Sequence, residues 1–409
     1  MVLNEKSVFF LNKSLFYLVL LFIFTTTLPH TTAVQSIVIC LFYLIFILYG
    51  KDRFKTSEFS FKTPLSFPIL LFGVWAFIGL AFAVNKPDSL DYFEAHFLRY
   101  VLLYFIIVNI FNSEKKYRGI IWAVLFSTVS FSIIAIIYAW WEGILYAEQS
   151  LILGIQKNNL GFMLILSILL CLALLKTETD PRKKFLLIVS LLLLLIMVII
   201  PQSRGTIVGA IAAVLVLFLR NRKMLIIATG TCFILLIIVF HNPYTNRIAH
   251  NFIHDPPRIS LGHFTLQIIK DYPVFGTGIS LKPFHNIREK FPADYNSYIS
   301  DPRIGSFSQV EEFGGPHFMM GLIAASTGIP GLLLFSYLLY RYFLMTLKLY
   351  MHGGNNFIIN QSLCLLAAFV MFMIKTLFEP IFLHEVDTFM YILFAMGTVL
   401  WSLNKRLAT

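Results

Sequence analysis

Uniformly apolar runs of bilayer-crossing length, separated by short polar turns, set the limits on what this chain can fold into. A span needs roughly 20 apolar residues. Twelve stretches approach or reach that length: 14–29, 33–49, 66–84, 97–111, 119–140, 159–175, 184–200, 205–219, 224–240, 329–348, 357–378 and 386–403. Inside lipid every backbone N–H and C=O needs a partner within the protein, so spanning segments are helices or closed barrels. These Leu/Ile/Phe-rich runs lack the period-two alternation of barrel strands. The expected class is an all-α integral membrane protein with about 12 transmembrane helices. Composition agrees, with 13% charged residues against about a quarter in soluble domains.

A net charge of +11 would suggest nucleic acid in a soluble protein. Here the positions of the charges favour a topological reading, and no nucleic-acid partner is expected. Lys and Arg gather on alternate turns, in groups such as Lys51/Arg53/Lys55, Lys115/Lys116/Arg118, Arg182/Lys183/Lys184 and Lys405/Arg406. Short turns of the other side hold only Lys86, Lys157 and Arg204, with Arg99 just inside the next helix. The positive-inside rule then places both termini in the cytoplasm. Lys6 and Lys13 before the first run resemble a signal peptide, but no small-x-small site follows, so a retained first helix is expected. Cys40, Cys171, Cys232 and Cys364 all fall in apolar runs without metal or disulfide spacing and read as small buried residues.

One stretch breaks the pattern. Residues 241–328 hold most of the histidines, seven Lys/Arg and eight prolines, and topology puts them outside the cytoplasm. The chain divides into 1–240 (helices one to nine), 241–328 (a large periplasmic loop with amphipathic helices) and 329–409 (helices ten to twelve). Within the loop, Arg258–Tyr272 shows helical apolar spacing at Ile259, Leu261, Phe264, Leu266, Ile268 and Ile269. Pro256-Pro257 opens that helix and Pro273 stops it. Val274–Gly278 is a turn, and 281–312 reads as irregular. The apolar segment after His317, broken by Gly328-Ile329-Pro330-Gly331, predicts a half-helix feeding the tenth span.

Three residues carry candidate chemistry. Arg204, at a helix start in a short non-cytoplasmic turn, opposes the charge trend. Its guanidinium could take phosphate oxygens in paired hydrogen bonds, aided by helix-end N–H donors, or simply snorkel to headgroups. Arg258 opens a helix, where a cation is mildly unfavourable beside the positive dipole end. It faces either an anion or solvent. His317 follows Gly315-Pro316 near membrane level, where a neutral imidazole can accept a proton from a hydroxyl. The bland reading is an interfacial histidine. Glu311 and Glu312 precede it as a pair that is either orienting or merely solvated. Lys157-Asn158-Asn159 and Arg99 either line a cleft or anchor helix ends. The other loop histidines have no metal-ligand spacing. The sequence has no Walker motif, no GxSxG and no DxD-like metal–sugar motif. A substrate already activated and already in the membrane fits best, and a lipid pyrophosphate meets both conditions.

In combination these motifs resemble the O-antigen ligase family and its polymerase relatives. The resemblance rests on Ser203-Arg204-Gly205, Arg258, Pro273-Val274-Phe275-Gly276-Thr277-Gly278, His317 and Gly328-Ile329-Pro330-Gly331, in that order. It covers roughly 157–340 closely and the rest by hydropathy. It implies a metal-independent, cofactor-free glycosyltransferase of the bacterial inner membrane with a periplasmic active site. The donor would be a glycan on undecaprenyl pyrophosphate, and the acceptor a sugar hydroxyl of lipid A-core. Carried onto this chain, Arg204 and Arg258 hold the pyrophosphate and His317 is the general base of an inverting displacement. Arg99, Lys157, Gly276, Gly278 and Glu312 are further substrate-binding candidates. Two positions depart from the family pattern: His263 stands where many members have tryptophan, and Phe318 where a polar residue is frequent. An O-antigen polymerase would use the same donor. A lipid-linked glycan flippase would need charges along a path through its spans and internal repeats. Only Lys375, Arg99 and Glu379 approach the first condition, and the two halves show no repeat.

Overall fold

A computed structural model of the chain describes residues 5–53, 60–143, 151–199, 204–219, 256–299, 315–377, 379–380 and 383–408, with isolated positions at 223, 226 and 230. The helices are α1 (Glu5–Thr25), α2 (Thr32–Arg53), α3 (Ser66–Gly79), α4 (Lys86–Phe93), α5 (Arg99–Ile110), α6 (Glu114–Glu142), α7 (Lys157–Leu175), α8 (Pro181–Ile199) and α9 (Arg204–Leu217). There follow α10 (Pro256–Asp271), α11 (Pro283–Lys290), α12 (Pro292–Ile299), α13 (Met319–His352), α14 (Asn356–Lys375) and α15 (His384–Ala408). Among the described residues the only sheet is a two-stranded antiparallel hairpin, β1 (Leu151–Ile152) with β2 (Ile155–Gln156). The protein is all-α and multi-pass: five described helical runs are long and apolar enough to cross a membrane, and five more apolar helices are shorter. The expected ninth span, 224–240, lies almost wholly outside the described residues.

Two expectations are corrected. The fourth span does not begin at 97. Helix continues from Lys86 to Ile110 through one π turn, Glu94–Leu98. The start is polar and lies outside the apolar run: Asn85 caps it, its side chain accepting from the Asp88 N–H at 3.3 Å. Residues 281–312 are not irregular throughout, since α11 and α12 fill 283–299. Each helix opens on a proline, which is tolerated in the first turn, and each is too short for its periodicity to register. Phe284 and Ile287 of α11 and Tyr295 of α12 join Leu261, Phe264 and Ile268 of α10 in a small core that closes on Ala325. The Phe264 and Phe284 rings meet at 4.4 Å. The expected amphipathic face of α10 is therefore real at 261, 264 and 268, whereas Leu266 is exposed.

The bundle has two chemically different ends. At one, Arg118 pairs with Glu114 and Glu178, and Arg406 donates to the Asn112 carbonyl at 3.0 Å. At the other lie the starts of α7, α9 and α15 and the end of α14. From His384 to Lys405 along α15 the two are separated by about 30 Å of helical rise, close to the hydrocarbon thickness of a bilayer.

The turn at 273–278 locks the loop to the bundle. Helix α13 breaks at Gly328 (φ 74°, ψ 179°), two residues before Pro330. Proline has no N–H to give to the carbonyl four residues back, which is that of Ser326. The Gly278 N–H donates to it instead at 3.0 Å, and the Thr277 N–H donates to Ala325 O at 2.8 Å. The Ile329 N–H in turn reaches the Pro273 carbonyl at 2.8 Å. Phe275 stacks between Phe82 (4.2 Å) and Trp75 (5.0 Å), and the Trp75 indole N–H donates to Thr327 O at 2.8 Å. A second tether joins α4 to α11: Asp88 Oδ2 accepts from Ser280 Oγ at 2.7 Å and Asn286 Nδ2 at 2.8 Å.

The seam leaves no room for a side chain at its glycines. A Cβ on Gly328 would lie 2.0 Å from the Val274 carbonyl oxygen, while one on Gly262 in α10 would meet nothing within 4 Å. We expect Gly328→Ala to destabilise the protein by several kcal/mol, combining an unfavourable positive φ with a backbone clash. Gly262→Ala should be neutral or stabilising by up to about 1 kcal/mol. Denaturant titration of both purified variants measures the contrast, and equal stability would mean that the seam is not tightly packed.

Candidate functional site

Four segments converge at the end of the bundle opposite the basic turns. Gly161 of α7 sits against Thr206 of α9, where an added Cβ would be 2.0 Å from Thr206 Oγ1. Gly209 of α9 similarly abuts Met371 of α14, at 3.0 Å. One turn from these contacts, on the same side, lie Lys157 at the start of α7, Arg204 at the start of α9 and Lys375 at the end of α14. The Lys375 ammonium, 1% exposed, donates to Asn159 Oδ1 at 2.8 Å. The segment entering α13 joins the group because the Met319 N–H donates to the Thr376 carbonyl at 2.9 Å. His317, two residues earlier, is partly buried there. Gly315 ties the same entry segment to the loop, since a Cβ on it would lie 2.3 Å from the Leu281 carbonyl oxygen.

The structure thus gathers three sequence-selected positions, Arg204, Lys157 and His317, around Lys375. For Arg204 and Lys157 it is the backbone that is placed. Arg258 is the third residue of α10, a helix that packs on the first half of α13, the piece His317 introduces. Glu312 and Glu311 lie outside the described residues. Gly276 (φ 66°) and Gly278 (φ 101°) have a structural account. A Cβ on Gly276 would collide with the Ser326 backbone at 2.4 Å, and one on Gly278 with Ser89 Oγ at 2.2 Å. Both glycines permit the seam and face protein.

A buried polar cluster that sequence reading did not assemble lies beside this convergence. His96 Nδ1 is 2.6 Å from Asp387 Oδ2, and the Asp387 side chain is 1% exposed. Tyr100 Oη lies within hydrogen-bond distance of His384 Nδ1 and of the His384 carbonyl. Arg99 is near enough to act electrostatically on His384, and its Nε is buried without a hydrogen-bond partner among the described residues. Glu379, Glu385 and Asp387 are all within electrostatic range of Lys375. Buried charges persist when they are paired, and here the pairing runs between the π turn of the fourth span, the end of α14 and the start of α15. With span edges at 97 and 386, His96 and His384 fall just outside the expected spans. The signal available was the clustering of His, Arg and Tyr at 96–100 and of His, Glu and Asp at 384–387.

Comparison with known proteins bears on one part of this site. Residues 189–336 match the family model described as O-antigen ligase. The resemblance drawn from the motifs is therefore shown over that segment, which carries Arg204, Arg258, Gly276, Gly278, Glu312 and His317. Over residues 189–336 the chain is therefore similar to the O-antigen ligase family. No curated protein matches the chain. Arg99, Lys157, Lys375 and the His96–Asp387 pair lie outside the matched residues.

The cluster predicts strong coupling. Removing Asp387 leaves the partly buried His96 ring without its hydrogen-bond partner and takes away one of three carboxylates near Lys375, so Asp387→Ala should cost about 1–3 kcal/mol. His96→Ala should be non-additive with it, by roughly 0.5–3 kcal/mol. A double-mutant cycle read by denaturant unfolding in detergent measures this, and strict additivity would show that the pair is not an energetic unit.

Proposed function

We propose that the protein is a glycosyltransferase that moves a glycan from undecaprenyl pyrophosphate to a sugar hydroxyl of lipid A-core at the periplasmic face of the bacterial inner membrane. What carries the reading is the convergence of Arg204, Lys157 and His317 at one bundle end, within or beside a segment that matches the O-antigen ligase family. That end is opposite the Lys/Arg-rich turns, as a non-cytoplasmic site requires.

In the proposed reaction the acceptor hydroxyl oxygen attacks the anomeric carbon and the bond to the pyrophosphate oxygen breaks on the opposite face. The anomeric centre inverts. His317 takes the hydroxyl proton, a contribution of about 10²–10⁴-fold for a positioned base. Arg204 and Arg258 neutralise charge as it develops on the departing undecaprenyl pyrophosphate. Such electrostatic assistance is strongest when its donors are held before the reaction. Arg204 starts a helix, so its guanidinium and the first N–H groups of α9 share one anion. Lys375 fixes the start of α7 through Asn159, which keeps Lys157 at the same level. Arg99 and Glu312 are the further substrate-binding residues of this proposal. With His317 as the base and the two arginines carrying the countercharge, the proposed scheme calls for no metal and no cofactor.

The polymerase reading shares this chemistry and differs only in the acceptor, a second lipid-linked glycan. Deleting the gene in its host separates the two. Loss of all polymer from lipid A-core, with lipid-linked polymer accumulating, is the expected ligase result. Retention of single repeat units on the core would instead mean polymerase.

His317→Ala, Arg204→Ala and Arg258→Ala should each abolish transfer in membranes while the protein still inserts. Wild-type turnover in any one removes that residue from the scheme. Transfer by the purified wild-type protein should persist in excess chelator, and its loss would overturn metal independence.

A further inference from the structure

The other end of the bundle holds a groove that the transfer reaction does not use. It is formed by α3, α5, α13 and α15 together with residues 61–64, and encloses about 1210 Å³, above the roughly 300–1,000 Å³ of ordinary small-molecule pockets. Its walls are aromatic and aliphatic, with Phe67, Leu70, Phe77 and Val101 among them. Its mouth carries Lys62, Arg341 and Lys405 beside Thr63, Ser66 and Ser402, and no carboxylate lines it among the described residues. Arg341 is held in place by its hydrogen bond to Tyr337 Oη at 2.9 Å, and Lys405 lies 5.9 Å from the Trp401 ring.

We infer that this groove is a binding site for an anionic phospholipid, with its acyl chains along α3 and its headgroup phosphate among Lys62, Arg341 and Lys405. Charge and depth both support that occupant. Three cations gathered at one mouth favour a negative headgroup over a zwitterionic one. From Ser66 beside the cations to Phe77 at the far end, α3 rises about 16 Å, roughly half of a ~30 Å hydrocarbon core. That is the reach of an acyl chain in one leaflet, and it is short for a polyprenyl tail. Gly73 lets the Phe97 ring pack directly on α3 as part of the groove wall: a Cβ there would lie 2.6 Å from that ring. By helical rise along α15 the cations stand about 30 Å from His384, so this site is separate from the proposed transfer site.

The test is native mass spectrometry of the purified full-length protein with phosphatidylglycerol or phosphatidylcholine added at equal concentration. We expect the wild type to retain phosphatidylglycerol in preference by about tenfold, the size of one or two interfacial cations. Neutralising the mouth with Lys62→Gln, Arg341→Gln and Lys405→Gln should erase the preference. Filling the groove with Leu70→Trp should reduce retention of both lipids, with elution volume and thermal stability confirming that the variant is folded. A triple variant of equal charge change elsewhere, Lys115→Gln, Lys183→Gln and Lys184→Gln, should behave as wild type. Equal retention of the two lipids by the wild type would overturn the inference, as would loss of preference in the control triple or undiminished retention by folded Leu70→Trp. Displacement of phosphatidylglycerol by a lower concentration of undecaprenyl phosphate would also overturn it, reassigning the groove to a polyprenyl chain.

Discussion

Everything at the candidate site depends on how one broken helix has its backbone satisfied. A helix interrupted at membrane depth leaves carbonyls and N–H groups that lipid cannot partner. In α13 the break at Gly328 and the missing N–H of Pro330 would orphan the Ala325 and Ser326 carbonyls. A turn from a distant part of the chain takes both of them, through Thr277 and Gly278, and accepts from Ile329 in exchange. The loop is thereby joined to the bundle by backbone hydrogen bonds, which specify position more tightly than side-chain packing alone. Since the first half of α13 starts two residues after His317, the same bonds fix where that histidine stands.

The site has two layers. The outer layer is the proposed one, Arg204, Arg258 and His317, whose residue types suit a reaction on a lipid-linked sugar. The inner layer is the network of His96, Tyr100, Lys375, His384 and Asp387, which is buried and internally paired. A network of this kind is costly to leave half satisfied, so it favours one arrangement of α5, α14 and α15 over near alternatives. The small contacts Gly161–Thr206 and Gly209–Met371 then bring α7 and α9 against α14 without intervening side chains. Close approach through small residues is how membrane helices pack when no hydrophobic driving force separates them from lipid.

Much of this was legible in the sequence for a simple reason: in a bilayer, apolar length alone nearly determines helix. The amphipathic run at 258–272, the glycine-rich turn and the half-helix after His317 were also readable, because each has a local signature. What escaped reading is non-local. Helix α4 looked like a polar turn because its stabilising contacts, from Asp88 to Ser280 and Asn286, come from residues about 190 positions away. Helices α11 and α12 are eight residues each and form against α10. The inner network could not be assembled because His96 and Asp387 are 291 positions apart, and neither has a recognisable motif. Gly276 and Gly278 are substrate-binding candidates by sequence, and the seam gives their positive φ a structural role as well.

The π turn at Glu94–Leu98 acts as a phase shifter in the fourth span. It amounts to an α-helix with one residue too many, so every residue before it is rotated by roughly 100° relative to an uninterrupted helix. Before it Asp88 grips the loop; within it His96 reaches Asp387, and just after it Tyr100 reaches His384. Straightening the turn would preserve either set of contacts and misalign the other. The loop and the interior of the bundle are therefore geared together through a single surplus residue, and a change in the helical register there would be felt at both.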